Sequence, residues 1–102
     1  MFEKFFKKIV EPKGSNMKCY IICFEVSEER YQAFLEKIKT YPKWAIITRT
    51  TCAIMCNNQT TEVRNNLMAL LDDADRLFVM PSSHVASWKN SMCKNEWLKE
   101  NL

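Results

Sequence analysis

The 102-residue chain is poor in the residues that favour irregular backbone, with one glycine and three prolines. So few turn-forming residues leave little room for long loops. A glycine-rich phosphate-binding loop needs closely spaced glycines, and none can form here. Because 47% of the residues are hydrophobic and 12% are aromatic, the composition excludes a disordered chain. The length predicts one domain with a sizeable core.

Histidine is scarce, and no hydrophobic run is long enough to cross a membrane. The single histidine, His84, has no acid placed by sequence to orient it, which favours a loop histidine over a Cys–His nucleophile with Cys93. Charges interrupt the first residues too often for a secretory signal. With five cysteines, an odd number, we expect reduced thiols and a cytoplasmic protein.

Four of the cysteines form two pairs of equal spacing. Cys19 and Cys23, like Cys52 and Cys56, are four residues apart, which on a strand separates the thiols by about 13 Å on one face. An antiparallel pairing would set Cys19 opposite Cys56 and Cys23 opposite Cys52. Each level then offers two thiols, too few for a zinc site unless a second subunit adds more. We interpret these cysteines as small buried hydrophobes.

Net charge is low outside the N-terminal segment. The formal charge is +3, but residues 17–102 carry 11 basic and 10 acidic side chains. Tight binding of phosphates usually requires a basic face. Basic and aromatic residues do interleave along the first predicted helix and the hairpin after it, which fits either a nucleic-acid contact or a solvated helix face. The candidate nucleic-acid-binding residues are Arg30, Lys37, Lys43 and Arg49.

The apolar pattern of the domain predicts the order β-α-β-β-α-β. Residues 18–26 are apolar on both faces, as expected of a central strand. Ser27 caps the first predicted helix, and Pro42 prevents its continuation. Two β-branched strands follow, and we expect them to form a hairpin that turns near Thr50.

A second helix and a fourth strand complete the predicted domain. Thr60 or Thr61 caps the second predicted helix, whose apolar stripe extends to Leu71. The acidic segment 72–75 offers oxygen ligands, but it lies at a helix C-terminus, where negative charge is unfavourable. We interpret it as the loop that leads into a fourth strand, residues 76–80.

This order is the split βαβ or ferredoxin-like pattern, an α+β fold with an antiparallel sheet. Right-handed crossovers place the first and third strands side by side at the centre, with both helices on one face. The other face is then uncovered, and an exposed apolar face usually indicates a partner, here a homodimer. A short C-terminal helix from about Lys94 folds against the domain or across the dimer. The candidate interface residues are Ile21, Cys23, Ile54 and Trp97.

Residues 1–16 form a separate predicted unit, an amphipathic helix and linker ahead of the domain at 17–102. We expect the helix to dock on its own domain or a second copy, or else to contact a partner or a membrane surface. The residues on its apolar face are Phe2, Phe5, Phe6 and Ile9.

Three stretches of the domain carry a family resemblance. The first, 20–26, reads Tyr-Ile-Ile-Cys-Phe-Glu-Val and ends a strand in an acid and an aliphatic residue. The second, 75–80, is an acid-led strand, and the third, 97–102, reads Trp-Leu-Lys-Glu-Asn-Leu. With these stretches the domain resembles the small CRISPR-associated Cas-two superfamily, and most closely its stand-alone SinR-type relatives.

The resemblance implies a ferredoxin-like homodimer joined through its sheets, with a role in phage defence. In Cas-two proteins the acid that ends the first strand is the proposed Mg²⁺ ligand, one from each subunit, and here that position is Glu25. Glutamate in place of aspartate reaches one methylene further, whereas Mg²⁺ demands near-ideal geometry. A solvated rim acid, or one paired with Arg49 or Lys18, is the alternative.

Two functions from different classes stay open at this point. The first is a homodimer that binds nucleic acid or a defence-system protein, with weak or no catalysis and no cofactor. The second is an Mg²⁺-dependent endoribonuclease similar to Cas-two and VapD-type toxins, with Glu25 as catalytic residue and metal ligand at the dimer axis. The near-neutral domain and the glutamate favour the first.

Overall fold

The computed structural model describes residues 17–102. Over these residues the fold is α+β, with one four-stranded antiparallel sheet and three helices, and is compatible with a ferredoxin-like domain. The elements are β1 (Lys18–Glu25), α1 (Glu28–Ile38), β2 (Lys43–Thr48), β3 (Thr51–Cys56), α2 (Thr60–Met68), β4 (Arg76–Pro81) and α3 (Asn95–Asn101).

The predictions for residues 1–16 lie outside the described residues. They concern the amphipathic helix and its candidate contact residues Phe2, Phe5, Phe6 and Ile9. Among residues 17–102, no helix combines the length and the apolar character that crossing a membrane requires.

The sheet has the strand order β2-β3-β1-β4, and every neighbouring pair is antiparallel. The opening strand therefore lies inside the sheet, as its apolar composition predicts. The hairpin turns at Arg49 and Thr50, between β2 and β3. Pro81 ends β4 at the sheet edge, where a residue without a backbone N–H is tolerated.

The core lies between the sheet and the first two helices. Alternate side chains of β1, namely Tyr20, Ile22 and Phe24, point to this face, and none is more than 2% exposed. Helices α1 and α2 therefore cover the same face of the sheet, as predicted. Burial of each such aliphatic or aromatic side chain stabilises the folded state by about 1.5–3 kcal/mol relative to leaving it exposed. The helix residues in this cluster are Phe34, Ile38, Val63 and Leu67.

The register of β1 against β3 is one residue away from the predicted pairing of cysteines. Cys19 lies opposite Met55, and Cys23 lies opposite Thr51. The expected Cys19–Cys56 and Cys23–Cys52 pairs are wrong, because a shift of one residue moves a partner to the other face of the sheet.

The same register places Ile54 in the core. It lies opposite Tyr20 and is fully buried beneath the helices. The grouping of Ile54 with Ile21 and Cys23 on one face is therefore wrong, because those two side chains belong to the other set of alternating positions in β1.

The helix caps depart from the sequence expectation in detail. Ser27 is the N-cap of α1, but its side chain makes no capping bond. Helix α2 is capped by Gln59 instead of Thr60 or Thr61, because Glu62 closes a capping box: its Oε1 accepts from the Gln59 backbone N–H at 2.6 Å.

The tail after β4 folds back over the second face of the sheet. The Ser82 N–H donates to the Cys19 carbonyl at 2.8 Å, and the Met92 N–H donates to the Ile47 carbonyl at 2.8 Å. Leu98 of α3 is 1% exposed, so the short C-terminal helix packs on its own domain. The tail thus covers part of the face that the sequence pattern left bare.

Candidate functional site on the open part of the sheet

One end of the second sheet face is not covered by the tail. Phe78 of β4 is 59% exposed and lies opposite the exposed Cys23, while Met80 is 40% exposed at the border of this area with the tail. We call Cys23, Phe78 and Met80 the open patch. Large apolar side chains grouped on an exposed sheet face are typical of an interaction surface.

Glu25 lies at the end of the open patch. Its direct cross-strand neighbour is Arg76, whose Nη1 donates to Glu25 Oε1 at 2.7 Å. Both side chains are largely exposed. The partner is therefore neither of the two cations that sequence spacing suggested, because sheet register brings β4 beside β1. Glu25, Arg76, Cys23 and Phe78 line a shared cavity of about 710 Å³.

The residues at Glu25 do not fit a preformed Mg²⁺ site in a single chain. Mg²⁺ requires oxygen ligands in near-octahedral geometry. Glu25 supplies one carboxylate, and a metal ion there must replace the Arg76 guanidinium. Within residues 17–102, no three His, Cys, Asp or Glu side chains converge on a common metal position.

The acidic segment 72–75 is a structural loop that connects α2 to β4. The Asp75 carboxylate accepts from the Asp72 N–H at 3.1 Å, from Arg30 Nε at 3.0 Å and from the Ser27 N–H at 3.2 Å. The backbone N–H of Asp72, assisted by the Arg30 side chain, holds the pKa of Asp75 below its ordinary value. This loop also fixes the start of α1.

Two of the four candidate nucleic-acid-binding residues are held by acids of the same chain. Arg30 pairs with Asp72 and Asp75, and Arg49 pairs with Glu28. In the part of the chain that the structure describes, Lys37 and Lys43 form no ion pair. Lys43, at the start of β2, is exposed, so it is the more accessible of the two.

The four candidate interface residues do not form one surface. Ile21 is half-buried next to the tail, whereas Cys23 is exposed in the open patch. Trp97 lines a different cavity, beside Trp44 of the edge strand β2. The sequence reasoning missed Phe78 and Met80. Their period-two alternation with the half-buried residues of β4 was the available signal.

Three cysteines are buried hydrophobes, as predicted, but Cys23 is not. Burial raises the pKa of Cys52 to about 12 and that of Cys19 to about 11, so these thiols stay protonated at neutral pH. Cys56 is likewise buried, with its pKa raised by burial. The remaining candidate thiol, Cys93, is half-buried in the tail.

His84 is an exposed loop residue with a positive φ of 68°. Its backbone N–H donates to Ser82 Oγ at 3.1 Å, which stabilises this turn. In residues 17–102, its ring has no carboxylate partner. The loop interpretation from the sequence therefore agrees with its position.

No protein-family model matches the chain, and no curated protein matches it significantly.

Proposed function

We propose that the protein is a non-catalytic, cytoplasmic Cas-two-like protein that binds nucleic acid as a homodimer. Each subunit is a ferredoxin-like domain, and the subunits join through the open patch. The observation that carries this proposal is the exposed pair Phe78 and Met80 on a sheet face that the tail covers only in part. Such a patch is stabilised when a second surface removes it from water.

A second copy is the occupant that fits the charges around the patch. Glu25 and Arg76 lie side by side at its end, one acid and one base. In a two-fold interface the same patch faces itself, so a contact between Glu25 of one subunit and Arg76 of the other occurs twice, once from each side. Glu25 of one subunit can then exchange partners with Arg76 of the other while the apolar side chains pack together.

We propose the absence of catalysis because of the hydrogen bond between Glu25 and Arg76 and the length of the Glu25 side chain. The Glu25 carboxylate accepts a hydrogen bond from the Arg76 guanidinium at 2.7 Å, so a metal ion must compete with a cation of the same chain for it. The longer side chain of glutamate also departs from the family pattern. The dimer then acts by holding nucleic acid, not by cleaving it.

Binding of nucleic acid is proposed to be weak and salt-dependent. Residues 17–102 are nearly neutral, and two of the four candidate cations are paired with acids. Dimerisation doubles the number of available lysines such as Lys37 and Lys43. A few phosphate contacts give an affinity that falls steeply with ionic strength.

The direct test is a binding and cleavage assay on protein of known mass. Labelled RNA and DNA are incubated with wild type and with Glu25→Ala, with and without Mg²⁺ or Mn²⁺. We expect retention of nucleic acid at low salt, equal in the two proteins, and no cleavage. A wild type that binds neither RNA nor DNA at low salt would contradict the proposal.

A metal-dependent endoribonuclease is the second candidate function. The observation that favours it is the position of Glu25 beside the open patch, since a dimer through that patch brings two Glu25 carboxylates together. Metal-dependent cleavage by wild type that is lost in Glu25→Ala would support this function. Equal trace cleavage by both proteins would indicate a contaminating nuclease.

A further inference from the structure

A second cavity, of about 710 Å³, lies between α1, the edge strand β2 and the tail. We call it the aromatic groove. Its volume is within the range of about 300–1,000 Å³ that holds small organic ligands. The groove is defined by three aromatic residues and three cations, Tyr31, Trp44, Trp97, Lys39, Arg49 and Lys94.

The rings and cations of the groove are already interleaved. Lys39 Nζ lies 5.5 Å from the centroid of the Trp44 ring, and the Arg49 guanidinium lies 4.4 Å from that of Tyr31. Trp44 is 38% exposed, although tryptophan side chains are highly buried on average. No carboxylate is among the residues that line the cavity. Lys39 also pairs with Glu36, which does not line the cavity, at 3.9 Å, and Lys94 has no ion pair among residues 17–102, so the surface offers flat apolar faces beside two exposed lysines.

The tail builds one wall of the groove. The hydrogen bond from the Met92 N–H to the Ile47 carbonyl fixes the tail along β2, and α3 begins three residues later. Leu98 anchors α3 in the interior, and the neighbouring Trp97 is placed on the groove. The two tryptophans thus come from an edge strand and a helix that are 53 residues apart in sequence, which is why sequence spacing could not associate them.

We propose that the aromatic groove binds single-stranded nucleic acid, with bases stacking on Trp44 and Trp97 and phosphates pairing with Lys39 and Lys94. Base stacking on aromatic side chains tolerates every base, and lysines track the phosphate backbone. A base inside a duplex is covered by its neighbours and cannot reach these rings. The inference rests on the proposed function and adds to it the type of strand and the place of binding.

Arg49 has a positioning role in this site. Its guanidinium is held both by the Glu28 carboxylate and over the Tyr31 ring, so it forms a fixed end of the groove. The carboxylate of Glu28 repels a phosphate there. Phosphates are expected at the other end, near Lys39 and Lys94, both of which are exposed; a phosphate bound to Lys39 there displaces the exposed Glu36 carboxylate, which lies 3.9 Å from the ammonium.

The test is a titration of the full chain with a labelled 20-nucleotide single strand of thymidine and with a 20-base-pair duplex, at several salt concentrations. The single strand should bind at least tenfold more tightly than the duplex. Trp44→Leu and Trp97→Leu should each weaken single-strand binding about tenfold, as expected for loss of one stacked base. Trp88→Leu is the matched control, since Trp88 is a tail tryptophan that lines a different cavity, and it should bind like wild type.

A lysine variant keeps the test independent of folding. Lys39→Ala combined with Lys94→Ala changes only exposed side chains and should reduce the slope of log K against log salt by about 1.4, the loss of two phosphate contacts to a single strand. Lys89→Ala combined with Lys99→Ala alters exposed lysines that do not line the groove, and should leave the slope unchanged.

The outcomes separate this inference from the proposed function. If wild type binds no nucleic acid, both fail. If wild type binds but all groove variants bind equally well, or if only the duplex binds, the proposed function stands and the groove is overturned as its site. The groove would then be assigned to an aromatic-binding partner such as a peptide.

Discussion

Arg76 Nη1 donates to Glu25 Oε1 at 2.7 Å across the pair of strands β4 and β1. The acid that the family resemblance implies as a metal ligand is thus paired with a base of its own chain. Both side chains stay largely in water, 66% and 80% exposed, so the pair has little to contribute to folding. The end of the open patch therefore carries one acid and one base, and the same surface of a second copy is complementary to it in charge.

Removing this ion pair should barely affect stability. Glu25→Gln and Arg76→Gln should each change the free energy of unfolding by less than about 1 kcal/mol, because exposed ion pairs are screened by water and salt. Urea unfolding monitored by tryptophan fluorescence measures this change, with the double variant completing the cycle. A coupling well above 1 kcal/mol would show that the pair is buried in the native protein.

Asp75 should make stability fall on acidification. Its pKa is lowered in the folded chain, so its contribution is present above the unfolded value of about 3.9 and is lost as pH falls through the folded pKa. Asp75→Asn should lower the thermal midpoint at neutral pH and flatten its decline below about pH 4. Thermal scans between neutral and acidic pH measure both effects.

The neighbouring Asp73 provides the control for that experiment. It is exposed, and Asp73→Asn should retain the wild-type pH profile. Identical profiles for the Asp75 and Asp73 variants would mean that the hydrogen bonds to the Asp75 carboxylate have no role in joining the 72–75 loop to α1.

The tail should be a stabilising part of the domain. Leu98 is 1% exposed, so Leu98→Ala should lower the free energy of unfolding by about 2–5 kcal/mol. Val85→Ala, at a side chain that is 84% exposed, should change it by no more than about 0.5 kcal/mol. Chemical denaturation of the two variants measures the difference. Equal, small effects would indicate that α3 does not pack on the sheet.

The cysteines should separate into reactive and protected classes. Cys19, Cys52 and Cys56 are buried and should resist a thiol reagent at neutral pH until the protein unfolds. Cys23 lies in the open patch, so a dimer should shield it and Met80→Lys should speed its labelling, with Cys93 as internal reference. Mass spectrometry of labelled peptides reports each site. A labelling rate of Cys23 that is identical in wild type and Met80→Lys would argue against its burial in an interface.

The sequence pattern was sufficient for the central strand and the first helix because its signals there are local. Residues 18–26 are apolar on both faces, and Pro42 marks a helix end, so the central strand and the first helix follow directly. Both helices were correctly assigned to one face by the handedness of crossovers. The loop role of the acids near Asp75 was also predictable, because negative charge disfavours a helix C-terminus.

What could not be predicted depends on register and on long-range contacts. A shift of one residue between β1 and β3 decides whether Ile54 faces the core or the open side, and spacing within one strand does not encode it. The partner of Glu25 was missed for the same reason, since Arg76 is 51 residues away in sequence. The aromatic groove requires the path of the tail, which carries only weak periodic signals.

The central claim, self-association through the open patch, is tested most directly by the molar mass of the full chain in solution. Light scattering during size exclusion should give twice the 12.1 kDa of one chain for wild type. Met80→Lys should shift the mass toward a single chain, while Met68→Lys, at a more exposed methionine on α2, should leave the dimer intact. A wild type with the mass of one chain at all concentrations, or a dimer insensitive to Met80→Lys, would contradict the account.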